Sequence, residues 1–185
     1  MTLRSVRPAV LSDSAAITAL AQESFTEVFD ASGIAVSHPL RGRVLGSLRQ
    51  MWEETLGSVD NREAQAHTFV ALEGQSVVGF ASLTQAPAIE LKAPATSQIP
   101  AGVELTNLYV HRSFRRSGHA SRLLSAIVDT INPDSFRAWV SPGDTVMIRF
   151  IQGSGFSPAG LKRSFTFDEA AGASREEHLW WALRS

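Results

Sequence analysis

The stretch that most restricts what this chain can fold into runs from Val103 to Ile131, VELTNLYVHRSFRRSGHASRLLSAIVDTI. Val103 to Val110 is rich in β-branched and aromatic residues at strand length. A polar loop follows and closes at Gly118. From His119 onward, Leu123, Leu124, Ile127, Val128 and Ile131 recur at three- and four-residue steps, which is one face of a helix. Arg112, Arg115 and Arg116 lie between strand and helix. The first turn of a helix has backbone N–H groups without intrahelical acceptors, and the helix dipole adds partial positive charge there. A glycine allows close backbone approach to a ligand, and arginines recognise phosphate. A strand, a glycine loop and a helix in this order therefore predict a cradle for a diphosphate.

The loop ends in neither the Gly-Lys-Ser/Thr of phosphate loops nor the G-x-G-x-x-G of dinucleotide folds. It reads Arg115-Arg116-Ser117-Gly118-His119-Ala120. This resembles the Q/R-x-x-G-x-G/A signature of the Gcn5-related N-acetyltransferases, the GNAT superfamily. Val77-Val78-Gly79-Phe80, the Arg7-Pro8-Ala9 opening and the late Gly155-Phe156 pair are similar to further segments of that family. The resemblance covers nearly the whole chain except about 30–66, a segment that varies in the family and lines the acceptor pocket there.

Composition excludes several alternatives. The net charge of −1 supplies no global field for nucleic acid or an anionic membrane, so the arginine cluster is local. A nucleic-acid reading through Arg112, Arg115, Arg116 and Arg122 would need a broad basic face. No cysteine is present, so disulfides, thiolate metal sites and a cysteinyl acyl intermediate are excluded. No apolar run approaches bilayer-spanning length, and the N-terminus lacks a signal pattern; a cytoplasmic protein is the expectation. His38, His67, His111, His119 and His178 show no metal-ligand spacing, and no metal is expected.

In order, the chain predicts β-α-α-β-β-β-α-β-α-β-β. Leu3–Val6 reads as the first strand. A helix through Ile17, Leu20, Ala21 and Phe25 follows, capped by Ser12 or Asp13. Glycines and Pro39 punctuate 30–46, ahead of a helix through Val44, Leu48, Met51, Trp52 and Leu56. Strands at 67–72 and 77–83 form a hairpin, and 85–102 is a proline-bearing loop with room for a short strand at 89–91. Phe136–Val140 is a strand, Asp144 caps a last helix, and Phe165–Phe167 and His178–Leu183 pair across a loop at 168–177. Strand alternation sends one of Trp180 and Trp181 into the core and the other outward. The expectation is one domain, 1–185, of α/β (α+β) class. The resemblance supplies the topology: a mixed, mostly antiparallel sheet flanked by helices, with a splayed central strand.

The resemblance also implies an activity: direct transfer of an acetyl group from acetyl-CoA to a primary amine in a ternary complex. Leu108, Tyr109 and Val110 would pair with the pantetheine arm. The loop Arg115, Arg116, Ser117, Gly118, His119, Ala120 and Ser121 would hold the diphosphate, with His119 bordering the phosphates. Glu104, fourteen residues before Gly118, takes the place of the catalytic glutamate of Gcn5-type enzymes. Asn107 and Tyr109 would orient the amine. One departure stands out. The tyrosine that protonates the leaving thiolate in many members is replaced by Ile151, and Tyr109 is the only tyrosine in the chain. A domain that binds acyl-CoA without turnover is therefore the alternative. The acceptor, a small-molecule or peptide amine, is not legible, and homodimer formation is left open.

Overall fold

A computed structural model describes residues 3–58, 66–91, 98–168 and 173–183. Strand β1 (Arg4–Pro8) leads through a 3-10 turn (Leu11–Asp13) into α1 (Ser14–Ala31) and α2 (Pro39–Gly57). Then come β2 (Ala66–Glu73), β3 (Ser76–Ala86), the short β4 (Ile89–Glu90) and β5 (Gln98–Ile99), and the central β6 (Gly102–Val110). A second 3-10 turn (Arg112–Phe114) precedes α3 (His119–Ile131), followed by β7 (Ser135–Val140), α4 (Thr145–Gly153), β8 (Ser157–Asp168) and β9 (Ala173–Leu183).

Seven strands form one mixed sheet in the order β1-β2-β3-β6-β7-β9-β8; β4 and β5 pair separately. Among the described strands only β6 and β7 are parallel, and α3 makes the crossover between them. On one face, Leu123, Leu124 and Ile127 of α3 and Ile151 of α4 join Val103, Leu105, Val110, Phe136 and Phe156 in the larger apolar cluster. On the other, Ile17 and Leu20 of α1 and Leu48 and Trp52 of α2 pack on Val70, Phe80 and the Tyr109 ring. The class and topology expected from the sequence are those of the fold. Trp180 enters the larger cluster while Trp181 is only half-buried, as alternation requires.

Four local readings need correction. Helix α2 begins at Pro39, not near Val44, because Pro39 suits a first helical position and the His38 ring accepts the Leu40 N–H. Gly42 and Gly46 thus lie inside the helix, where packing of Leu48, Trp52 and Leu56 outweighs their poor propensity. Asp13 does not cap α1 with its side chain; that carboxylate takes both terminal nitrogens of Arg7, at 2.6 and 2.9 Å, and the Val10 N–H. The last two strands are longer than their apolar runs, because a register shift between Pro158 and Lys162 absorbs Gly160 at φ +74° and lets pairing continue. Asp144 does cap α4, accepting the Met147 N–H at 2.9 Å.

Candidate active site

Strand β6 pairs with β3 along its whole length, from Gly102 to Val110. On its other side, pairing with β7 covers only Val103 to Leu105. From Thr106 to Val110 the two strands diverge, and β7 continues with β9 alone as its partner. A register shift opposite Ser82 and Leu83 marks the place where this begins. Leu108, Tyr109 and Val110 therefore present backbone along a gap between two parallel strands.

The gap leads to the loop before α3. Phe114 and Arg115 donate their amides back to His111 and Arg112, and the His111 ring accepts the Ser113 N–H. The chain then changes character. Arg116 takes φ +63° and Gly118 φ +80°, both left-handed, which costs an arginine more than a glycine. Among the described residues the amides of 116 to 119 donate no backbone hydrogen bond, and Gly118 caps α3 without a side-chain bond. The amides of Ala120 and Ser121 complete the open first turn. Free amides at the start of a helix of 13 residues are the arrangement that backbone binding of an anion requires.

The two loop arginines differ in their engagements. Arg115 is held: its Nε donates to the Val110 carbonyl at 3.0 Å, and NH2 meets both oxygens of Glu27 at 2.7 and 2.9 Å. Its guanidinium also lies 5.2 Å from the centre of the Tyr109 ring. Arg116 makes no hydrogen bond or ion pair among the described residues, so its cation is available to an anion over the loop. His119 turns its side chain inward, fully buried, with Nε2 2.9 Å from Glu73 and its ring against Phe114. Only its backbone remains at the open start of α3.

Glu104, Asn107 and Tyr109 share the face of β6 toward α1, since their register partners are Thr84, Ser82 and Phe80. Glu104 Oε2 accepts from Arg137 Nε at 3.1 Å and from the Trp139 indole at 3.2 Å. Among the described residues its Oε1 has only Arg163, at 3.9 Å. Arg137 is itself buried and donates to the Pro87 carbonyl at 2.7 Å. The Tyr109 hydroxyl meets Glu27 at 2.9 Å and Glu23 at 3.2 Å. Burial first, then the hydrogen bond and the negative charge of Glu27, push the Tyr109 pKa well above the ordinary phenol range. Ile151 is fully buried, and Ser154 nearby donates its hydroxyl to the Phe150 carbonyl at 2.9 Å.

Sequence reading missed Glu23 and Glu27. They stand four residues apart on α1, and with Leu20 they keep the three- and four-residue spacing of its buried stripe. Acids continuing an apolar stripe were the available signal. Arg4 and Glu73, which reach the loop from β1 and β2, had no such signal. Among the described residues there is no cluster of three or more metal-binding side chains, and no helix is long and apolar enough to cross a membrane.

A strand thus parts from its parallel neighbour and leads into an amide-lined helix start. Residues 45–156 match the acetyltransferase (GNAT) family model, more than half of the chain, and the protein belongs to that family. Solved structures share the fold at low identity. The PaiA N-acetyltransferase of Thermoplasma acidophilum, in complex with coenzyme A, superposes with a TM-score of 0.65 at 15% identity, over 98% of this chain and 99% of that one. An N-acetyltransferase of Staphylococcus aureus gives 0.66 at 21%, covering 98% of each chain. The ribosomal-protein-S18-alanine N-acetyltransferase of Escherichia coli gives 0.62 at 13%, over 99% and 95%. No curated protein matches the chain in sequence.

Proposed function

We propose that the protein transfers an acetyl group from acetyl-CoA directly to a primary amine while both substrates are bound. The observation that carries this is the run of unpaired amides from Arg116 to Ser121 at the end of a strand parted from its neighbour. A diphosphate needs several fixed donors, and these amides with the free Arg116 supply them. Backbone at Leu108, Tyr109 and Val110 suits an amide-bearing arm laid along the gap as an added strand. The Val110 N–H is the donor assigned to the acyl oxygen. The Arg115 side chain serves differently: it ties α1 to the end of β6 and braces the loop from behind.

Acetyl-CoA supplies a thioester whose carbonyl carbon an uncharged amine attacks. The chain must take the proton the amine gives up. Glu104 is assigned that role, directly or through a water. Its Oε2 is occupied by two donors, which leaves Oε1 as the accepting oxygen. Asn107 and the Tyr109 ring border the same face and orient the amine, with Glu23 and Glu27 behind the phenol favouring a cation on arrival. No side-chain acid is placed for the leaving thiolate, because Ile151 has none and Ser154 is engaged. A thiol titrates at about pH 8.5, so solvent can reprotonate it. We place the whole chain, 1–185, in one catalytic domain.

The same Ile151 favours a second reading, in which the domain binds acyl-CoA without turnover. Release of free CoA thiol with a panel of amines separates the two. Transfer predicts that at least one amine accelerates release and that Glu104→Gln suppresses it. Calorimetric titration with acetyl-CoA tests the cradle under both readings. Gly118→Asp, which sets a carboxylate among the amides, should abolish binding; undiminished binding would remove the loop from the site.

A further inference from the structure

The peptide between Ser117 and Gly118 is held from behind. The Ser117 carbonyl accepts Arg122 NH1 at 3.0 Å and Arg4 NH1 at 3.2 Å. Arg122 belongs to α3 itself, whereas Arg4 comes from β1, more than a hundred residues away in sequence. Two guanidinium groups converging on one carbonyl repel each other, so the arrangement needs a nearby anion. Glu73, the last residue of β2, provides it: its Oε2 accepts Arg4 Nε at 2.8 Å. The same oxygen lies 2.9 Å from His119 Nε2. An ionised carboxylate only accepts, so the ring proton sits on Nε2. The His119 ring is fully enclosed, and its Nδ1 has no partner among the described residues. A buried polar ring half-satisfied in this way is a net cost to the fold. Its return is the anchoring of Glu73, and through it of Arg4.

A trans peptide is planar, with C=O and the following N–H on opposite sides. No peptide in the described chain is cis. Donors that pin the Ser117 oxygen therefore also turn the Gly118 N–H away from themselves, out over the open start of α3. Without them, Gly118 at φ +80° is free to let the peptide rotate.

We propose that Arg4, held by Glu73 and His119, is a positioning residue for coenzyme A: it fixes the Ser117–Gly118 peptide so that the Gly118 amide faces the diphosphate. The proposal rests on the reading of this loop as the CoA cradle. Arg4 acts through the peptide and not as a phosphate ligand.

The test is calorimetric titration with CoA across a salt series, for wild type, Arg4→Gln, Arg4→Lys and Glu73→Gln, each checked for its melting transition. Arg4→Gln should weaken CoA roughly tenfold, as loss of a charge-assisted hydrogen bond does, while the slope of affinity against salt stays that of wild type. A direct phosphate ligand would lower that slope by about one unit. Glu73→Gln is decisive because two accounts give opposite signs. Removing a negative charge near an anion should tighten binding if charge alone matters, whereas loss of the anchor weakens it. Glu73→Gln binding CoA as tightly as wild type or tighter, or a reduced salt slope in Arg4→Gln, overturns the proposal. Should Arg4→Gln fail to fold, Arg4→Lys and Glu73→Gln carry the same comparison. In turnover, KM for acetyl-CoA should rise in the Arg4 variants with kcat little changed. Wild type that binds no CoA at all would refute the cradle itself, and this inference with it, and is recognised before any variant is made.

Discussion

On one face of β6, Val103, Leu105 and Val110 pack against Leu123, Leu124 and Ile127 of α3, and every one of these side chains is apolar and buried. On the other face, Tyr109 is as buried and Glu104 nearly so, yet both end in polar groups with charged partners. The first face stabilises in proportion to the area it removes from water. The second must offset the desolvation of Glu104 and Arg137 before it contributes anything, and buried ion pairs add little net stability. A strand that keeps such groups on one side while the other is uniformly apolar separates two tasks. Its α3 side holds the fold, and its α1 side holds polar groups in set positions beside the gap between β6 and β7.

The sharpest way to break that division is at Glu104. Glutamine there can still accept from Arg137 and the Trp139 indole, so Glu104→Gln should melt close to wild type. It cannot take a proton, and turnover with an accepted amine should fall about 10²- to 10⁴-fold, the usual contribution of a positioned base. Glu104→Ala should lose the rate and stability together, because Arg137 is then buried without its carboxylate. A Glu104→Gln protein with full turnover and a lowered melting temperature would make Glu104 an ion-pair anchor and nothing more.

On the apolar face the expectation reverses. Leu123→Ala empties space inside the larger cluster and should cost about 2–5 kcal/mol in equilibrium denaturation. CoA affinity of the folded fraction should stay near that of wild type, since Leu123 faces the sheet and not the loop. A loss under 1 kcal/mol would mean that the α3 face is not the main source of stability.

These two faces were unequally legible in sequence. The α3 face follows from period alone: apolar steps at 123, 124, 127 and 131 and strand residues at 103, 105 and 110 announce their partners. The loop and the start of α3 were legible for the same reason, because Gly118 and the first helical residue are adjacent in sequence. The polar face was not. Glu104 is a lone acid on a strand until Arg137 and Trp139 arrive from a parallel strand more than thirty residues later. Tyr109 finds Glu27 across more than eighty residues, and Arg4 finds Ser117 across more than a hundred. Such pairings depend on register and crossover, which no local pattern encodes. Gly42 and Gly46 misled in the opposite sense: as local breakers they delayed the start of α2, and tertiary packing overrode them.

The smallest expected effect is the most specific to the polar face. Tyr109 is the only tyrosine in the chain, so tyrosinate absorbance reports one group. Burial raises its pKa most, the hydrogen bond and charge of Glu27 raise it further, and Arg115 opposes them. A raised folded pKa means that the folded state keeps its proton longer than the unfolded chain, whose phenol titrates near pH ~10. The stabilisation is therefore fully present below about pH 10 and is lost as pH rises through the folded pKa. Glu27→Gln removes the anionic acceptor but leaves the burial, so its titration should fall back only part of the way toward the ordinary phenol value. Tyr109→Phe should flatten the alkaline loss of stability. Wild-type Tyr109 titrating like a free phenol would mean that water reaches this side of β6 freely, and the contrast between its two faces would then be one of composition, not of environment.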